Sequence, residues 1–161
     1  MIDVGPLLDV QHSSYDAASE GLRATWPEAQ ALDAAGMASL LEDNRYCVLA
    51  TARRDGRAHA APVGFVVAEG SFWIATVEGL RLRNLRATPW VSIVVMDGDA
   101  DEGEEGTPHR ALTAEGPAVL HDIDVLARFE EAWLARHTDP PDWATAFVEL
   151  RPHRLFSHAA G

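Results

Sequence analysis

The residues best placed for chemistry run from Thr76 to Asn84. An apolar stretch ends in the hydroxyl of Thr76, Gly79 opens a turn, and a helix-compatible run begins with Leu80 and Arg81. The first N–H groups of a helix have no partner within it, and the aligned peptide dipoles leave partial positive charge there. With a guanidinium in the first turn, such a junction suits a phosphate or another anion. The same letters also describe a solvated helix face carrying Arg81, Arg83 and Arg86, and the local pattern alone does not separate the two.

A second stretch, Arg57 to Phe65, reads as a strand built from small residues with Pro62 and Gly64 inside it. Such a strand leaves little side chain to pack. It suits a flat ligand lying against the backbone, and equally a bulge or a barrel corner; Pro62 needs a position without a ladder N–H in either case. The histidines fall at 12, 59, 109, 121, 137, 153 and 158, with no pair at the i, i+4 spacing of a helical metal site. His59 and His109 stand out, each on an expected strand near the possible cleft. His153 and His158 fall in the last expected strand, five apart and on opposite faces.

Other chemistries lack residues. Cys47 is the only cysteine, which excludes disulfides, a cysteine zinc site and an iron–sulfur cluster. It lies in the apolar run Tyr46–Ala50 and reads as a core residue rather than a nucleophile. The acidic run after Asp97 fails the EF-hand template, because Gly103 is one place late and Pro108 stands where the bidentate Glu belongs. A solvated loop is expected over residues 97–108. No metal site is therefore expected. There is no Gly-x-Ser-x-Gly elbow, P-loop or dinucleotide fingerprint, so hydrolase and NTPase readings have nothing to stand on.

These segments sit in a chain of 161 residues, one domain's length, with 47% apolar and 24% charged residues. Acidic residues outnumber basic ones 25 to 13, giving a net charge of -12. That field disfavours nucleic acid and anionic lipid, so neither is expected as a partner. No apolar window is long enough to cross a membrane, and the N-terminal stretch with Asp3 and Asp9 is not a secretory signal. A cytoplasmic protein is expected.

The elements that must position the site follow from periodicity. Residues 1–30 show no clear period and are expected as an extension draped over a single domain of residues 31–161. Thr25 to Glu28 has capping-box spacing, and Asp33 can cap a helix over Ala34–Asn44 with Met37, Leu40 and Leu41 on one face. Period two then takes over. Tyr46–Ala52, Arg57–Ala68 and Ser71–Val77 read as a three-stranded meander turned at Asp55-Gly56 and Glu69-Gly70. A short helix from Gly79 to Ala87 stops at Pro89. Trp90–Met96 is apolar throughout and is expected to be buried on both sides. His109–His121 reads as a fifth strand. Asp122 is expected to cap a helix reaching His137, with Ile123, Leu126, Phe129 and Trp133 at helical spacing, and Phe147–Ser157 supplies closing strands. Trp73, Trp90, Trp133 and Trp143 read as core or interface residues. The fold class is α+β, a six-stranded antiparallel split β-barrel with inserted helices.

In order, Leu49-Ala50-Thr51-Ala52, Asp55-Gly56, Pro62-Val63, Thr76, Arg81–Leu85 and Pro89-Trp90-Val91-Ser92 resemble the pyridoxamine 5'-phosphate oxidase-like family, the flavin-binding split barrels. The likeness spans roughly residues 33 to 158, including the closing run Leu150–Ser157. It implies a homodimer with the cofactor at the interface, and a small-molecule substrate reduced or oxidised by hydride transfer. It implies FMN as the cofactor, with the deazaflavin coenzyme F-420 as the alternative. Arg81 would stand where many members carry a phosphate-binding lysine. Thr76, Gly79, Leu80 and Asn84 would line the phosphate site, and His59, Ala61, Pro62 and Val63 would lie along the ring. No catalytic residue is implied. Two positions depart from the oxidases, which have an arginine near Ala61 and a serine near Gly79. A non-catalytic flavin-binding module, or a dimeric barrel without cofactor, is the alternative those departures support.

Overall fold

The antiparallel ladders of the computed structural model, which describes residues 2–97 and 109–160, join eight strands into one curled sheet. The expected loop over residues 98–108 lies outside the described residues. Strand β1 (Tyr46–Ala52) pairs with β2 (Ala58–Gly64) across a tight turn. Gly56 takes φ 83° there, and the Asp55 carboxylate accepts from the Arg57 N–H. Strand β3 (Val66–Ala68) then pairs with β4 (Ser71–Thr76), across a turn where Glu69 and Gly70 both have positive φ. The expected meander is therefore broken: β2 and β3 share a run of chain but end opposite sides of the sheet, in the order β2-β1-β5-β6-β7-β4-β3.

The break lies at Gly64-Phe65, and its cause is visible. Helix α5 (Glu130–His137) brings Arg136 and His137 to the corner, where Arg136 Nε donates to the Phe65 carbonyl at 2.9 Å. His137 Nε2 lies 3.2 Å from the same oxygen. A Cβ at position 64 would come within 3.0 Å of the His137 ring, so only glycine leaves room for it. Of the two accounts of this small-residue strand, Gly64 follows the corner.

Strands β5 (Trp90–Met96) and β6 (His109–Asp122) continue the sheet. β6 pairs with β8 (Arg154–Ala160) through its first half and with β7 (Ala146–Leu150) through its second. The two partners switch at Gly116, where a Cβ would sit 2.1 Å from the Arg151 carbonyl oxygen. This switch splits the barrel. The class is the expected α+β split barrel, with eight strands where six were expected, because the corner divides one expected strand and β7 and β8 are separate.

The core has two parts. The larger, inside the curled sheet, includes Leu49, Phe72, Ile74, Ile93, Val148 and Leu155. The smaller packs Trp73, Phe129, Trp133 and Phe147 on the other side of β4 and β7. β4 and most of β7 are thus buried on both faces, and β5 is not. On β5, Trp90, Val94 and Met96 are exposed, because no helix among the described residues covers that face. Trp73 and Trp133 are core residues, whereas Trp90 and Trp143 are exposed.

The helices also differ from expectation. α3 (Ala34–Asp43) is capped by Asp33 as expected, its carboxylate accepting from the Gly36 N–H at 2.8 Å. Thr25 instead ends α2 (Glu20–Thr25) and bonds back to the Gly21 carbonyl, so no capping box forms. The expected helix from Asp122 to His137 is a 3-10 segment, Ile123–Arg128, then α5, broken at Phe129 and without a side-chain cap from Asp122. Phe129 turns inward to stack on Trp73, and the backbone yields to that contact. His153 precedes β8 instead of lying in it.

Residues 1–30 carry α1 (Gly5–Asp16), which lies along β8. There Ser14 Oγ accepts from the Leu155 N–H at 2.9 Å, and the Tyr15 hydroxyl donates to the Ser157 carbonyl at 3.1 Å. β8 is an edge strand, and these side chains supply partners its open edge lacks.

Candidate functional site

Alternation along β1 turns Cys47, Leu49 and Thr51 inward, and the register sets them opposite Val63, Ala61 and His59. Helix α4 (Leu80–Ala87) packs against this inner face of β1. Asn84 anchors it, its side-chain amide donating to Thr51 Oγ1 at 2.9 Å with both residues buried. Thr51 was not singled out from the sequence; it lies 33 residues from Asn84, and only the fold joins them.

At the start of α4, Arg81 Nη1 donates to Thr76 Oγ1 at 2.9 Å. Thr76 is buried at the end of β4, its carbonyl accepting from the Thr145 N–H at 2.9 Å. Burial pushes the Arg81 pKa below the ordinary arginine value, a shift the neighbouring Cys47 opposes. No carboxylate ion-pairs with Arg81 among the described residues. The guanidinium therefore keeps unused donors in a partly desolvated place. Gly79 takes an extended φ of 166°, caps α4 with no side chain, and has open space where a Cβ would stand. The nearest carboxylate in sequence, Glu78, is engaged by Arg86 at 2.6 and 2.8 Å. A cation without a counter-charge, an uncapped helix start and a vacant side-chain position together fit an anionic group of phosphate size.

The structure thus brings together Thr76, Gly79, Leu80, Arg81 and Asn84. It sets His59, Ala61 and Val63 on the same inner face of β2, with Val63 buried and the other two partly exposed. Pro62 is on the opposite, outer face beside Val48. His59 and His109 are not brought together: His59 stands opposite Thr51, while His109 begins β6 beyond the Met96–Ala111 pair at the far end of the sheet. Cys47 is buried, its thiol pushed up to about 12 by desolvation, which removes it as a nucleophile. No cluster of metal-ligating side chains occurs among the described residues. No helix among them is long and apolar enough to cross a membrane.

Fold and site together define a split-barrel protein in which α4 starts without a side-chain cap, beside a guanidinium whose side-chain partner is the Thr76 hydroxyl. The model of the pyridoxamine 5'-phosphate oxidase family matches residues 35–159, and the chain belongs to that family. Comparison with curated proteins finds no match. Among solved structures, the chain is similar to a FAD-binding protein from Mesorhizobium loti, with 20% identity, TM-score 0.64, and 82% of this chain and 96% of that one covered. It is similar to HutZ, the haem storage protein from Vibrio cholerae, with 20% identity, TM-score 0.60, and coverage of 78% and 94%. It is also similar to an F420 reductase, with 24% identity, TM-score 0.56, and coverage of 73% and 93%. At these identities the likeness establishes the fold, and the three names show that one fold serves different ligands.

Proposed function

We propose that this chain binds a flavin or deazaflavin nucleotide and supports hydride transfer to or from a small organic substrate, with FMN ahead of coenzyme F-420. The observation that carries this is Arg81: a half-buried guanidinium with only a neutral hydroxyl for a side-chain partner, beside an uncapped helix start. Arg81 and Thr76 would hold the phosphate, Asn84 and Thr51 would fix the helix that carries Arg81, and His59 and Ala61 would border the ring. When bound, the ring supplies the hydride chemistry. The protein holds its phosphate, orients it and excludes water, which accounts for the absence of an acid–base pair from the site's described residues.

The cofactor would lie at the interface of a homodimer, and the partner surface would be the outer face of β1, β2 and β5. Tyr46, Val48, Val94 and Met96 are exposed there, with Val48 between Pro62 and Val94 across the sheet. A second copy covering this face would remove them from water.

The second reading is a module that binds flavin without catalysis, or binds none. Ala61 and Gly79 favour it, since each lacks the polar side chain the oxidases place nearby. Absorption titration with FMN, F-420 and haem separates the readings. Saturable uptake of FMN or F-420, weakened about tenfold or more by Arg81→Gln, supports the proposal. Uptake of neither, or uptake indifferent to Arg81→Gln, overturns it.

A further inference from the structure

We propose that the cleft between the β1–β2 hairpin and α4, which borders the Thr76–Arg81 site and shares Leu80 and Asn84 with it, takes a multiply charged anion, a phosphate ester or an oligocarboxylate. The cleft has a volume of about 510 Å³. Arg53, Arg54 and Asp55 line it from the hairpin, and Leu80, Arg83, Asn84 and Arg86 from the helix. Four guanidiniums thus face one carboxylate in a chain whose net charge is -12.

The local acids do not balance them. Asp55 is taken by Arg57, whose backbone N–H and Nε donate to it at 3.1 and 2.9 Å. Glu78, outside the lining, is taken by Arg86. Arg53, Arg54 and Arg83 make no ion pair among the described residues, and Arg53 Nε is buried with no hydrogen-bond partner. A solvated arginine face would leave its donors in water; this one withdraws a donor from water and leaves it unbonded. Both walls are fixed beforehand. Asn84 is tied to Thr51, and the hairpin is closed by Arg53 N–H to Arg57 carbonyl and Gly56 N–H to Arg53 carbonyl, both 2.9 Å. Planar guanidiniums on two rigid walls are suited to paired oxygens of phosphate or carboxylate. The volume leaves room for a ligand larger than a single phosphate.

Arg81 does not line this cleft, so its substitution separates the cleft from the Thr76–Arg81 site. Calorimetric titration of the full chain with inorganic pyrophosphate and with citrate tests it, on the wild type, Arg54→Gln/Arg83→Gln and Arg81→Gln. Arg54 and Arg83 are exposed, so the double variant retains the fold, and an unchanged thermal midpoint checks this. The expected result is saturable binding of at least one probe, weakened about tenfold or more in the double variant and unchanged in Arg81→Gln. Pyrophosphate alone would specify a phosphate ester, citrate alone an oligocarboxylate, and both the shared anion chemistry. No saturation by either probe overturns the proposal. So does binding that survives in the double variant and is lost in Arg81→Gln, which would assign the anion to the Thr76–Arg81 site.

Discussion

Arg81 holds its charge where water is partly excluded and no carboxylate among the described residues pairs with it, and Gly79, immediately before the helix, leaves a side-chain position vacant. A serine at Gly79 would enter open space at an extended φ, with no strain to relieve and no neighbour to displace. Gly79→Ser is therefore expected to keep the thermal midpoint and to bind FMN severalfold more tightly, since one more donor faces the phosphate; equilibrium dialysis of FMN checks it. The Thr76–Asn84 junction was legible in the sequence because its chemistry is contiguous. Its support was not. Thr51 and Asn84 meet across the fold, and Pro62 and Val63, adjacent in sequence, point to opposite faces.

Between elements, Glu149 is a buried side chain that ties several strands together. On β7 it accepts from Ser71 of β4 at 3.0 Å, from Arg151 twice at 3.0 Å, and contacts His121 of β6 at 2.7 Å. Burial pushes its carboxyl pKa up, but the bonds from Arg151, His121 and Ser71 outweigh burial, and the pKa lies below the usual value of 4.5. The unfolded chain then takes up the proton more readily, so this group adds stability above about pH 4.5 and loses it as pH falls through the native pKa. Glu149→Gln is expected to cost about 2–3 kcal/mol at neutral pH and to flatten the loss of stability as pH falls below the usual carboxylate value. Urea unfolding across that range measures both. The sequence pattern announced the strands but not this joint, because one buried carboxylate carries no periodicity. The same limit hid α1. Its buried face is Leu7, Gln11, Ser14 and Tyr15, correctly spaced for a helix but half polar, since it completes the hydrogen bonds of β8 as well as the core. On β5 the error ran the other way: apolar letters on both faces signalled burial that the described residues do not supply.

The molecule as a whole therefore carries a curled sheet with a covered interior and, on β1, β2 and β5, an apolar outer face that the other described residues leave exposed. If that face receives a second copy, Val48→Glu/Val94→Glu places charges in its centre, and sedimentation equilibrium is expected to give the dimer mass for the wild type and the monomer mass for the variant. A monomeric wild type would remove the homodimer from the proposal. Strand β6 has a consequence of another kind. It is bonded to β5 over Ala111–Pro117 and successively to β8 and β7 over its whole length, so both halves of the barrel share its backbone. Alternate residues of β6 bond to opposite neighbours, so either half opens only by stripping one edge of a strand whose other edge the second half holds. In hydrogen–deuterium exchange, the amides of Ala111–Glu115 are expected to report the global unfolding free energy, while the β1–β2 hairpin opens and closes many times before they exchange once.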